Sequence, residues 1–151
     1  MKTIVLGCGR VGSYLAGCLA AEGHQVMVID KNPQAFRTLG EELEAVEGKG
    51  AGIPGMVVRG KGIRCILGLG IDEDVLKAAG ITEADAFAAV TDSDYTNIMA
   101  SFIAKDIFHV PRVIVRIGEP KREAVWRQLG LETICPTTLG ARIVFEMLTK
   151  A

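Results

Sequence analysis

The first thirty residues constrain the fold more than any other part of the chain. Thr3-Ile4-Val5-Leu6 is a short apolar run, and it passes directly into Gly7-Cys8-Gly9-Arg10-Val11-Gly12, a G-x-G-x-x-G loop. Val11, Leu15 and Leu19 then recur at the spacing of one helix face, with Ala16, Gly17 and Ala20 small enough for close packing. A second apolar run, residues 25–29, ends on Asp30, 18 residues beyond Gly12. Alone, such a glycine loop says little. After a strand, opening a helix and followed by an acid at this distance, it specifies a βαβ unit of nucleotide-binding type.

Each residue type has a physical task in that unit. Gly7 permits the tight turn out of the strand, Gly9 lets the backbone approach a diphosphate, and Gly12 lets the helix lie close to the sheet. The helix start offers unpaired N–H groups and a partial positive charge, which suit phosphate. Arg10, at that start, is placed to add a charge clamp with a fork of donors. Asp30 suits the hydroxyls of a ribose, and an acid there repels a 2′-phosphate. The expected ligand is therefore NAD, AMP, ADP or ATP rather than NADP, with Lys31 beside the acid tempering the exclusion.

Beyond this unit, apolar runs alternate with helical patterns. Asn32-Pro33 suits a helix start, and Phe36, Leu39 and Leu43 form its stripe. Residues 48–62 are glycine-rich and read as a long loop, with Met56-Val57-Val58 a small strand inside it. Residues 64–67 read as the third parallel strand, leading through Gly68-Leu69 to a helix with Val75 and Leu76, then Gly80 at its C′ position. Residues 84–90 contain a fourth strand, ending at Thr91-Asp92-Ser93-Asp94, where Ser93 or Asp94 caps a helix carrying Ile98, Phe102, Ile103 and Ile107. Residues 113–117 form a fifth strand; a helix with Trp126 and Leu129 inward, a short sixth strand at 133–135 and a closing helix from about Leu139 complete the pattern.

Six such alternations imply an α/β, Rossmann-like, doubly wound parallel sheet with right-handed crossovers. The composition agrees: 49% hydrophobic residues but only 5% aromatic ones describe an aliphatic core, as in a parallel sheet covered on both faces. At 151 residues the chain reads as a single domain, 1–151. In such sheets ligands sit beyond the carboxyl ends of the strands, so residues 7–12, Asp30-Lys31, Gly68-Leu69 and residues 91–94 should converge.

Other classes are disfavoured. A net charge of −1 without a basic block gives no footprint for nucleic acid. No apolar run reaches the ~18 residues of a membrane span, and the N-terminus does not read as a signal peptide, so a cytoplasmic protein without membrane insertion is expected. Cys8, Cys18, Cys65 and Cys135 form no C-x-x-C pair and read as reduced, mostly buried thiols, and no metal cluster is recognisable. His24 and His109 fall where helices hand over to strands and read as exposed connectors. Tyr14 and Tyr95 lack a lysine four residues on, so the tyrosine–lysine pair of short-chain dehydrogenases is absent.

Several of these stretches together resemble a known family. They are the 7–12 loop with Asp30, Val75-Leu76-Lys77-Ala78-Ala79-Gly80-Ile81, Ala84-Asp85 followed by residues 90–94, Asn97, Val113-Ile114-Val115-Arg116-Ile117, and the closing stretch from Leu129-Gly130 to Pro136-Thr137. In this order they resemble the N-terminal nucleotide-binding (TrkA-N) domain of regulators of potassium conductance, the RCK family of TrkA/KtrA type. The resemblance implies that Gly7, Cys8, Gly9, Arg10, Val11 and Gly12 wrap phosphates and that Asp30 with Lys31 holds the adenosine ribose. Thr91 and Asp92 would line the pocket, and Arg116 would reach a phosphate or a neighbouring subunit. Asn97 corresponds to a position near subunit contacts. Gly68-Leu69 stands where the family has Gly-Asp, the acid beside the adenine, so an apolar residue replaces an acceptor. The family's C-terminal ligand-binding domain has no counterpart before Ala151.

The expected function is that of a cytosolic regulatory subunit, peripheral to the membrane through a potassium channel or transporter partner, that binds NAD(H) or ATP, ADP or AMP and assembles as a homodimer or higher oligomer. The broad apolar arc of Leu139, Ile143, Val144, Phe145, Met147 and Leu148 suits a subunit contact. The alternatives are an NAD-dependent oxidoreductase or its cofactor-binding half, and an assembly module whose pocket is vestigial, for which Leu69 is the argument.

Overall fold

A computed structural model of the chain describes residues 1–39, 56–58 and 62–150. The sheet grows outward from β1 (Lys2–Leu6), whose central residues are buried on both faces. β1 pairs in parallel with β2 (Gln25–Asp30), and β2 with β4 (Ile63–Leu67). On the other side β1 pairs with β5 (Ala86–Ala89), followed by β6 (Arg112–Arg116) and β7 (Glu132–Ile134), all parallel. β3 (Met56–Val58) adds an antiparallel edge to β4. The order among the described strands is β3-β4-β2-β1-β5-β6-β7. The six parallel strands thus reverse direction of growth at β1, which opens a crevice between β1 and β5.

Strand alternation sends the core to two faces. Ile4, Leu6, Met27, Ile29, Ile66, Phe87, Val113 and Val115 face one side, where α2 (Glu73–Ala78) and α3 (Asp94–Phe102) cover them with Leu76 and Ile98. Val5, Val26, Val28, Cys65 and Ala88 face the other, under α1 (Arg10–Ala21) and a 3₁₀ helix, Pro33–Leu39, that brings in Phe36. Cys8, Cys65 and Cys135 are buried and Cys18 is exposed. At the amino ends of the strands, the ammonium of Lys2 pairs with Glu83 and holds that carboxyl below its ordinary range.

Several expected elements take a different form. The segment after Asn32 is a 3₁₀ rather than an α-helix; Leu43 and most of the 48–62 loop lie outside the described residues. α1 buries Gly12 and Ala16 rather than Val11, which is 38% exposed and turned to the crevice. After α3 the helix widens into a π turn, Ile103–Ile107, closed by the amide of Phe108 on the carbonyl of Ile103. The extra residue per turn swings Ile107 out to solvent, while Ile103 and Phe102 stay half-buried. In α4 (Pro120–Gln128) Trp126 packs edge-on to Phe102, but Leu129 is the C-cap, past the last helical residue, and is exposed. His109 is exposed with φ 54°, and His24 is half-buried beside the chain's amino group. α5 (Pro136–Thr149) begins three residues earlier than its apolar pattern, because Pro136 fits the first helical position.

Candidate functional site

A cavity of about 470 Å³ opens where the parallel strands end, lined in turn by Leu6, Asp30, Gly68, Val90-Thr91 and Arg116 after β1, β2, β4, β5 and β6. The turn from β1 to α1 forms its floor. Gly7 adopts φ 102°, a conformation open to glycine, and its amide donates to the Ile29 carbonyl at 2.8 Å. Gly12 lies so close beneath it that a Cβ would stand 1.8 Å from the Gly7 oxygen. Gly9 differs: it is the N-cap of α1, has φ −77°, and a Cβ there would meet nothing within 4 Å. No side chain caps this helix and no acid sits in its first turn. The amides of Arg10, Val11 and Gly12 lie in that first turn, where helix geometry supplies no internal partner. α2, α3 and α4 are instead capped by Asp72, Ser93 and Glu119.

Asp30 is half-buried and fixed by the backbone on both sides. Its Oδ2 accepts from the Cys8 amide at 2.7 Å and its Oδ1 from the Asn32 amide at 2.8 Å. The carboxylate is thereby locked onto the glycine turn, with its remaining lone pairs available to the cavity it lines. Cys8 consequently stands behind the lining rather than in it: its amide serves Asp30, its side chain is buried, and its carbonyl accepts from the Thr38 hydroxyl at 3.3 Å.

The far wall is organised by Asn97, which is fully buried. Its Oδ1 accepts from the amide and the hydroxyl of Thr91, and its Nδ2 donates to the carbonyls of Thr91 and Arg116. All four groups of this side chain's capacity are used to clamp the ends of β5 and β6 together. It therefore lies beneath the site. The Arg116 guanidinium crosses over to donate from Nη1 to the Thr91 carbonyl at 2.7 Å, and its Nε is buried without a partner. Asp94 does not line the cavity; it accepts from the Gly118 amide at 2.7 Å and braces the start of α3 against the end of β6.

Of the thirteen residues expected at the site, eleven line this one cavity: Gly7, Gly9, Arg10, Val11, Asp30, Lys31, Gly68, Leu69, Thr91, Asp92 and Arg116. Cys8 and Gly12 shape it from behind. The sequence reading passed over Asn32, Ala35, Gly70, Ile71 and Thr96, which also line it. The signal was available for the first four, since each follows within a few residues of a strand end already identified. Among the described residues no group of His, Cys, Asp and Glu is placed to hold a metal ion, and no helix is long and apolar enough to cross a membrane.

Comparison with known proteins agrees with this fold. The Trk system potassium uptake protein TrkA of Streptomyces coelicolor is 41% identical over 134 residues, covering 89% of this chain and 52% of that protein. The chain thus spans about half the length of that relative. Among solved structures, the TrkA-N domain of the Escherichia coli inner membrane protein ybaL superposes with a TM-score of 0.76 at 20% identity, over 97% of this chain and 96% of that one. The AMP-bound Kef C-terminal domain of Shewanella denitrificans does so at 0.74 and 16% identity, over 100% and 84%. GsuK bound to ADP gives 0.71 at 18% identity, over 98% and 34%, and the GsuK channel bound to NAD gives 0.64 at 18%, over 89% and 21%. At these identities the structures speak for the fold. The TrkA-N domain model itself matches residues 3–52 and 57–136, and the chain belongs to that family.

Proposed function

We propose that this chain is a nucleotide-binding regulatory domain of a potassium uptake system, acting on the cytoplasmic side through a membrane transporter partner. The observation that carries the reading is the start of α1, which no side chain caps, opening at Gly9, Arg10 and Val11 onto a cavity also lined by Arg116 and a backbone-locked Asp30. In this assignment phosphates lie at the start of α1, on the amides of Arg10 and Val11 that line the cavity, with the two arginines as counter-charges. Asp30 takes the ribose, with Lys31, Thr91 and Asp92 at the rim. The relatives' names support the transport role, and the AMP-, ADP- and NAD-bound neighbours support the ligand class. Residues 1–151 constitute one such domain in this reading, and its work is binding rather than turnover.

Control of transport then means population shift. A ligand biases a two-state assembly only by its different affinity for the two states, and shifting 1:99 to 99:1 takes about 5.5 kcal/mol of difference. The assembly we assign is a homodimer built on α5. None of that helix's residues is buried, and Ile143, Val144, Phe145, Met147 and Leu148 are 54–80% exposed. Burying such side chains is worth ~1.5–3 kcal/mol each, enough across two copies to exceed the ~4–15 kcal/mol cost of association.

Isothermal titration of the purified chain with AMP, ADP, ATP, NAD and NADH tests the reading. Saturable binding of at least one at micromolar to submillimolar concentration is expected; no binding of any would overturn it.

A further inference from the structure

We infer that Arg116 reads the second phosphate of the ligand: the site prefers a nucleoside diphosphate unit to a monophosphate, and this side chain, released from its tether on Thr91, makes the difference. The inference rests on the nucleotide reading above and concerns which ligands of that class the site holds.

Strand order sets the direction of the phosphate chain. β2 lies on one side of β1, and β5 followed by β6 on the other. In the nucleotide reading Asp30, at the end of β2, takes the ribose, and the start of α1, after β1, takes the first phosphate. A second phosphate, continuing away from the sugar, comes over the ends of β5 and β6. The step is short, since neighbouring strands lie ~4.8 Å apart. The end of β5 also abuts the glycine turn: a Cβ on Gly7 would stand 2.9 Å from the Thr91 nitrogen. Arg116 Nη1 is 2.7 Å from the Thr91 carbonyl oxygen. One residue, Thr91, thus separates the guanidinium from the turn, on the flank opposite to Asp30.

The guanidinium is held in waiting rather than in a structural ion pair. Asp30 and Asp92 line the same cavity, yet among the described residues Arg116 forms no salt bridge with any carboxylate. Its Nε is buried without a partner, a donor that costs free energy while it stays unpaired. Its tether is dispensable. The Thr91 carbonyl also accepts from Asn97 Nδ2 at 3.0 Å, so it is not stranded when Nη1 leaves. The Arg116 carbonyl accepts from the same Nδ2 at 3.0 Å, which keeps the backbone in place while the side chain turns. Turned toward the cavity, Nε and Nη2 present the parallel pair of donors that matches two phosphate oxygens. The Asp92 carboxylate opposes the added charge, but it is exposed, where solvent and salt screen it.

AMP and ADP share base and sugar and differ by one phosphate, so they are the diagnostic pair. Titration calorimetry on the intact chain should give a dissociation constant for ADP about tenfold or more below that for AMP, the effect of one charge-assisted pair. In Arg116→Gln the ratio should fall to within about threefold, because the charge and the fork are both gone. Asn97 still satisfies Thr91 in that variant, so it should fold, which circular dichroism checks. Arg10→Gln, at the exposed start of α1, should weaken both nucleotides and keep the ratio. A folded Arg116→Gln variant that keeps the full preference overturns the inference, as does loss of the preference in Arg10→Gln. An unaltered chain that binds AMP as tightly as ADP overturns it whether or not the variants fold. Failure of both nucleotides to bind the unaltered chain overturns the nucleotide reading itself, and the inference with it.

Discussion

Glycine residues at the turn from β1 to α1 separate into two kinds that the motif does not distinguish. Gly12 is structural: any side chain there collides with the Gly7 carbonyl, which belongs to backbone that cannot step aside. Gly9 is sterically idle within the protein, with ordinary φ and open space where a Cβ would go. Gly9 itself lines the cavity. Gly12→Ala is therefore expected to cost about 3 kcal/mol in urea unfolding, the upper end of overpacking penalties. Gly9→Ala should leave stability within about 0.5 kcal/mol while weakening nucleotide binding about tenfold, since its methyl occupies the approach to the amides. Equal loss of stability in the two variants would refute the distinction. Asn97 makes the same point from the other side. Its four hydrogen bonds are internal, so its contribution to the site is to hold Thr91 and Arg116 in place.

At the level of elements, α4 and α5 are the two α-helices among the described residues that bury no residue, and α5 is the more exposed of them. α1, α2 and α3 each bury residues against the sheet, and α4 docks Trp126 on Phe102. α5 buries none, although it carries some of the most apolar exposed side chains of the chain. An unpartnered helix of this composition is a contact surface or an aggregation liability. Light scattering on the purified chain is expected to give a dimer at micromolar concentration, and the double substitution Phe145→Glu with Leu148→Glu a monomer that stays folded by circular dichroism. A monomeric unaltered chain under these conditions would refute the assignment of α5.

For the molecule as a whole, nucleotide binding and stability are linked. A ligand held by the ends of β1, β2, β4, β5 and β6 binds only when those strands are assembled. At a hundredfold excess over its dissociation constant it should add about 2.7 kcal/mol, or roughly 5–10 °C in melting temperature for a domain of this size. Differential scanning fluorimetry with AMP, ADP and NAD reads this directly; a ligand that titrates yet leaves the melting temperature unmoved would place its site elsewhere.

What could be read before any coordinates was whatever local chemistry decides. The strand–glycine–helix–strand–acid order of residues 3–30 forces a βαβ unit, because few other conformations satisfy that turn, and the alternation that follows leaves little choice but a doubly wound sheet. Eleven of the site residues could be named because the carboxyl end of every strand in such a sheet points to one crevice. Tertiary structure alone decided the rest. It turned the Cys8 amide onto Asp30, sank Asn97 beneath the wall, rotated Ile107 outward through a wide turn and left α5 without cover. Each of these depends on which partner a polar or apolar group finds across the fold. Such pairings are made between residues distant in the chain, and no periodicity or motif along it encodes them.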